Sequence, residues 1–308
     1  MNMILRSRLL NGAAAALGSG IMAGLLALVA PAAHGQIFVG VYNNSTLREY
    51  AYDGTYTQFA AYPDVNSPYG IAFDGAGALY TSALILGSQG KINKFAPDGT
   101  ATQFAITPLG PRDMDFGPDG KLYVAIQDGT IWRYGADGSG TLFASGLSNP
   151  TSLAFDGTGN LFVACYGSKS IAKITSAGAV STFVSTGSST PYYAAFDSSD
   201  RLYVSFGAEN IIRRYTTDGT ATTFATTFLN GPSQLAFDPA GNLWVSNYGN
   251  GALVYFTPDG TGTQFTVVMA NSSGGLAFAP VPEPATFAAL AGLAALLVAQ
   301  WRRRARAA

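Results

Sequence analysis

The sequence predicts an all-β fold, a six-bladed β-propeller of four-stranded blades. Three observations carry that expectation. A phenylalanine recurs at Phe73, Phe116, Phe155, Phe196, Phe237 and Phe278, at spacings of 43, 39, 41, 41 and 41 residues. Between the copies lie short apolar runs separated by clusters of Gly, Asp, Asn and Ser, the pattern of strands joined by tight turns. The two ends of the repeat are complementary fragments of one unit. A strand-only period near 41 marks a propeller blade, because a helical repeat of that length would show 3.6-residue periodicity instead.

The fullest copy runs from Pro150 to Phe183, PTSLAFDGTGNLFVACYGSKSIAKITSAGAVSTF. It reads as four strands, SLAF, LFVAC, SIAKI and VSTF, with turns at DGTGN, YGSK and TSAGA. Alternating side chains fall on opposite faces of such a ribbon. Eight residues after the first five phenylalanines stands the middle of a second strand, at Thr81, Val124, Val163, Val204 and Val245. A third run closes on a basic-aromatic pair in Lys94-Phe95, Arg133-Tyr134 and Arg214-Tyr215.

The ends decide how the ring closes. IFVGVYNNSTLREY, from Ile37, aligns without a gap on LFVACYGSKSIAKI from Leu161, so the repeat begins at a second strand. The last copy, GGLAFAP, supplies only a first strand. A blade shared between the two ends completes the ring and leaves no open sheet edge. Residues 36–280 are thus expected to form six blades.

Residues 1–35 carry Arg6 and Arg8, then an apolar run to Ala30, then PAAHG before Gln36. That order predicts a secretory signal peptide cut between Gly35 and Gln36, by signal peptidase. An uncleaved membrane anchor is the alternative, since the apolar run is long enough.

Six of the 17 basic residues lie in the two terminal segments, against one of the 18 acidic ones, so residues 36–280 carry a formal charge of −6. A mildly acidic surface offers no basic footprint for nucleic acid. The single cysteine, Cys165, falls at a strand position and is expected to be a packed thiol.

Residues 281–308 read VPEPATFAALAGLAALLVAQWRRRARAA. The run from Ala285 to Trp301 is long enough, as a helix of about 25 Å, to approach the span of a bilayer core. Arg302, Arg303, Arg304 and Arg306 would then stay cytoplasmic. Pro282-Glu283-Pro284, an apolar transmembrane helix and an Arg-rich end together resemble the PEP-CTERM sorting signal. The resemblance implies that an exosortase cuts near the motif and passes the protein to the surface. It also implies a Gram-negative host that produces exopolysaccharide. A plain tail anchor is the alternative.

The repeats resemble NHL-repeat proteins and gluconolactonase-like six-bladed propellers, through LFVACYGSKSIAKI and the P-x-x-L-x-F-D openings at Pro150 and Pro232, with a related opening at Pro68. Propeller architecture does not specify chemistry. Four residues before the repeat phenylalanine, a ring at one channel mouth is expected to hold Tyr69, Arg112, Thr151, Tyr192, Ser233 and Gly274. Gln234 stands beside it. Lactonase relatives place acidic or amide metal ligands at such positions, and this ring has none. The lyase type of propeller relies on histidine, and the only histidine here is His34, within the expected leader. Imidazole-based general base catalysis, a Ser-His-Asp triad and a Cys-His pair are therefore excluded from the exported chain.

One blade breaks the pattern. Where the others read GIAF, SLAF, YAAF, QLAF and GLAF, the second inner strand reads Arg112-Asp113-Met114-Asp115-Phe116. Asp113 and Asp115 lie two apart, about 7 Å along one strand face, and are candidates for binding a cation such as calcium. An Arg-Asp pair satisfying backbone groups is the structural alternative. The DG pairs at Asp98, Asp119, Asp218 and Asp259 lack the Asp-x-Asp spacing of a calcium loop and are expected to be hairpin turns. Tyr42, Tyr166 and Tyr248 recur after second strands and are expected to pack between blades, with a carbohydrate-binding face as the alternative. The functional expectation is an exported, surface-sorted binding or structural module with no cofactor. Polysaccharide or surface proteins are its candidate partners. A lactonase- or lyase-like enzyme with a channel metal site is the rival.

Overall fold

The computed structural model describes residues 36–41, 45–61, 66–84, 89–268 and 273–280. The expected signal peptide, the sorting signal at Pro282, Glu283 and Pro284, the apolar helix, Gly35 and Tyr42 lie outside the described residues. No helix among the described residues is long and apolar enough to cross a membrane.

The chain forms six four-stranded antiparallel sheets, each an up-and-down meander. The closing sheet has the order expected from the two ends: Ser273–Phe278, then Ile37–Val41, Thr46–Tyr50 and Tyr56–Ala61. Ile37 pairs with Phe278 and Val39 with Leu276. The Ala279 amide extends that ladder by donating to the Gln36 carbonyl at 3.0 Å. Counting this blade as the first, the inner strands of blades two to six are Asn66–Phe73, Pro111–Phe116, Pro150–Phe155, Tyr193–Phe196 and Pro232–Phe237.

Burial explains the composition of each strand. Second strands such as Leu161–Cys165 and Leu202–Phe206 are buried at every position. Both faces are covered by neighbouring blades, so their sequences are continuous apolar runs rather than alternations. Fourth strands such as Ala221–Ala225 are exposed over their first three residues and tolerate Thr and Ser. Cys165 is buried and its thiol lies 3.7 Å from the Val163 carbonyl, a packed thiol as expected.

The repeat phenylalanine has one job in every blade. Its ring packs edge-on against an aromatic side chain in the second strand of the preceding blade. The pairs are Phe38–Phe73, Tyr80–Phe116, Tyr123–Phe155, Phe162–Phe196, Tyr203–Phe237 and Trp244–Phe278, with ring centroids 5.0 to 5.6 Å apart. Edge-to-face pairs at this separation contribute about 0.5–1.5 kcal/mol each beyond area burial. The sixth pair, Trp244–Phe278, closes the ring.

The aspartate after the phenylalanine caps the following turn. Asp156 Oδ1 accepts from the amides of Thr158 and Asn160 at 3.0 and 2.8 Å, and Asp238 Oδ2 accepts from Trp244 Nε1 at 2.9 Å. Blade three has Gly117 instead, and Asp119 takes over the contact to its tyrosine, Tyr123, at 3.2 Å. The DG pairs form turns. Asp98 Oδ1 accepts from the Thr100 amide at 2.9 Å, and Gly99 has φ of 81°, a conformation that favours glycine.

Candidate functional site

Antiparallel pleating makes alternate residues of each inner strand face the channel. Counting back from the repeat phenylalanine, two channel rings follow. The ring one residue before it is alanine in five blades, Ala72, Ala154, Ala195, Ala236 and Ala277, and Asp115 in the third. The ring three residues before it holds Gly70, Asp113, Ser152, Tyr193, Gln234 and Gly275. All six are buried.

Asp113 stitches three blades together. Its Oδ1 accepts from the Tyr193 hydroxyl of blade five at 2.7 Å, and its Oδ2 from the Leu153 amide of blade four at 3.0 Å. Ser152 continues the network, accepting from the Ala194 amide at 3.1 Å. Tyr193 reaches past a whole blade to make its contact, so its ring lies across the channel. It separates the mouth where the inner strands begin from a cavity of about 530 Å³ at their phenylalanine ends. That cavity is walled by residues of all six inner strands, among them Phe73, Phe155, Phe196, Phe237, Phe278 and Asp115.

Asp115 is therefore in the cavity wall, while Asp113 lies deeper and is consumed by protein donors. Asp115 accepts from the Phe116 amide at 2.8 Å. Burial pushes its carboxyl up to about 7, helped by the neighbouring charge of Asp113. Burial likewise lifts Asp113 to about 6, against the opposing hydrogen bond from Tyr193. The Tyr193 phenol is raised well above its ordinary value by burial, then by Asp113.

The Arg-Asp pair envisaged from the sequence does not form. Arg112 points away from both aspartates, as strand alternation requires, and its guanidinium lies 5.5 Å above the Tyr69 ring. Backbone amides and a phenol take its place. Around Tyr69 three of the anticipated residues do converge: Arg112 on the ring, and Gln234 Nε2 donating to the Tyr69 carbonyl at 3.4 Å. Arg112 Nε and Gln234 Oε1 are buried without a hydrogen-bond partner among the described residues. Tyr192 stands apart from this trio, 38% exposed, with its ring edge-on to Tyr166 at 6.5 Å.

Tyr166 meets Tyr192 of the next blade, and both Tyr166 and Tyr248 remain largely open to solvent. They are 46% and 48% exposed, because each sits in the turn where the chain leaves its second strand. Sequence reasoning missed Tyr193 as the partner of Asp113, 80 residues away. Its one signal was a bulky residue at a channel position where the other blades carry Gly, Ser, Asp or Gln. No group of three or more His, Cys, Asp or Glu side chains converges to hold a metal ion among the described residues.

Six four-stranded antiparallel sheets, with their inner strands around a common channel, define a six-bladed β-propeller. The family model described as the virginiamycin B lyase family matches residues 55–275, and the chain belongs to that family. The PEP-CTERM protein-sorting motif matches residues 280–304, so the protein is an exported substrate of an exosortase in a Gram-negative bacterium, with a membrane-anchored intermediate.

Solved structures agree on the fold. Virginiamycin B lyase from Staphylococcus aureus is 18% identical over 77% of this chain and 86% of its own, with a TM-score of 0.61. A catalytically inactive histidine-to-alanine variant of that lyase with quinupristin is 18% identical over 79% and 88%, with a TM-score of 0.60. The PQQ-bound aldose sugar dehydrogenase from Streptomyces coelicolor is 17% identical over 69% and 85%, with a TM-score of 0.56. No curated protein matches the chain.

Proposed function

We propose that this propeller is a binding module of the cell surface or extracellular matrix, a lyase-family ring without lyase activity. One observation carries the reading. Residues 36–308 contain no histidine, and the S. aureus lyase with one histidine changed to alanine is catalytically inactive. Among the described residues the side chains nearest to replacing an imidazole are Asp113 and Asp115. The first is saturated by protein donors, and the second is held by the backbone amides of Phe116 and Phe155. The processed protein, incubated with quinupristin and with simple lactones, is expected to give no turnover above buffer. Turnover abolished by Asp115→Asn would establish the rival reading, a lyase- or lactonase-like enzyme.

The face at the other mouth supports a carbohydrate ligand. Tyr166, Tyr192 and Tyr248 present exposed rings there, and Arg112 rests on Tyr69 with Gln234 beside them. Aromatic rings ringed by Ser, Thr and Asn suit the apolar faces and hydroxyls of sugars. Acidic exopolysaccharide from the producing cells is the expected ligand, engaging Arg112. Tyr192→Ala should weaken its binding about fivefold, the equivalent of about 1 kcal/mol. Unchanged affinity in Tyr192→Ala and Arg112→Ala together would remove this face from consideration.

Sorting is tested separately. Replacing Pro282, Glu283 and Pro284 with alanines should leave export intact and hold the protein in the inner membrane. Fractionation that finds the variant at the cell surface in normal amount would reduce the tail to an anchor.

A further inference from the structure

We propose that the cavity at the phenylalanine end of the channel binds an organic ammonium ion, with Asp115 as its counter-ion and the alanines of the same channel ring as part of its wall. The cavity, about 530 Å³, is of the size of small-molecule sites. Two carboxylates line it, Asp74 and Asp115, and they differ in what already holds them. Asp74 Oδ1 accepts from the amides of Ala76 and Ala78 at 3.0 and 2.8 Å, and its Oδ2 from the Tyr80 hydroxyl at 3.3 Å. Lys94 Nζ stands 3.8 Å from the same Oδ2 and balances its charge. Asp115 is held by backbone amides, that of Phe116 at 2.8 Å and that of Phe155, and has no ion-pair partner among the described residues. The cavity thus carries one carboxylate without an ion-pair partner among the described residues, in a channel ring otherwise made of Ala72, Ala154, Ala195, Ala236 and Ala277.

A half-buried carboxylate without an ion-pair partner favours a cation, because its solvation is incomplete. The wall decides which cation. Calcium takes six to eight oxygen ligands, whereas no set of three ligating side chains converges among the described residues. An organic ammonium needs one carboxylate, and its alkyl surface gains from apolar contact. A single carboxylate beside small apolar side chains therefore suits an alkylammonium better than an ion that is held by several charged side chains. The site lies beyond Tyr193 from the carbohydrate face and stands whether or not that face binds sugar.

The test is calorimetric titration of tetramethylammonium chloride into the processed protein at pH 8. Parallel titrations use sodium chloride, calcium chloride and the neutral isostere tert-butanol. Saturable binding of tetramethylammonium alone is expected, with at least tenfold weaker binding to both Asp115→Asn and Asp115→Ala. The alanine variant guards against a folding defect, since alanine is the residue of the other five blades. Equal binding by the parent and both variants, a response matched by sodium, or saturation by calcium in place of tetramethylammonium would each overturn the proposal.

Discussion

Deleting Ser273–Pro280 is expected to collapse the cooperative melting of the whole propeller. The deletion removes the inner strand of the closing blade, so the ladder that pairs Ile37 with Phe278 and Val39 with Leu276 is lost. It also removes the Trp244–Phe278 contact and the buried Leu276, and it strips cover from Ile37 and Val39. Burying one large apolar side chain contributes about 1.5–3 kcal/mol, so several together exceed about 5 kcal/mol. That equals a fall of about 10–20 °C for a domain of this size. The newly open edge of Ile37–Val41 adds a route to aggregation. Calorimetry on the truncated protein decides the matter, and a midpoint within two degrees of the parent would mean that the shared blade does not seal the ring. A circular permutant that joins residue 280 to residue 36 and opens between blades two and three should keep the parent's midpoint.

The second large effect is a loss of stability as pH rises. Asp113 and Asp115 hold their protons up to about 6 and about 7 in the folded chain, while an unfolded aspartate releases its proton near 4. The folded state therefore binds more protons than the unfolded state between about pH 4 and 7, and stability falls across that window. A tenfold gain in proton affinity on folding corresponds to about 1.4 kcal/mol, so Asp115 alone accounts for up to about 4 kcal/mol. The two carboxyls titrate as a coupled pair, and their effects do not simply add. The turn aspartates Asp53, Asp98, Asp137, Asp218 and Asp259 act in the opposite sense, held low by Thr or Ser donors, and their contribution fades as pH drops below about 4. Maximum stability is thus expected near pH 4–5, low for an exported protein. Asp115→Ala should flatten the alkaline limb and melt higher than the parent at pH 8, since no arginine shares its charge. Thermal melts of both proteins from pH 3 to 9 provide the check. Parallel curves would show that the pair is already neutralised. A chelator that lowers only the parent would identify a bound metal as what neutralises it.

The ring, its closure and its blade count were legible because they rest on periodicity, and six phenylalanines at nearly equal spacing leave little freedom. The site was legible only in part. Asp113 and Asp115 announced themselves by replacing consensus residues, but the belt one residue further in than the expected mouth ring was not read as a ring. Bulges in the inner strands mark the step between the two. Register slips between Pro111 and Asp113, between Pro150 and Ser152, and between Pro232 and Leu235. Alternation counted across such a bulge assigns the wrong face. Tyr69, Arg112 and Tyr192 lie on the far side of it and form the mouth, while Asp113, Ser152, Tyr193 and Gln234 form the belt within. The Asp113–Tyr193 bond joins blades three and five, and no local pattern encodes a contact over 80 residues.

The shared blade also sets the timetable of folding during export. A chain exported from its N-terminal end delivers Ile37–Val41 first, and blades two to six can each form their own hairpins as they arrive. The first blade must wait, because its inner strand, Ser273–Phe278, is the last part of the ring to arrive. Until then Ile37 and Val39, fully buried in the finished ring, remain an uncovered edge. Closing a loop of this length carries an entropic cost that the local hairpins do not share. Pro280 is followed two residues later by the Pro-Glu-Pro motif. In N-to-C order the sorting motif therefore comes after every strand of the ring, so it reaches the outside only once the last strand has done so.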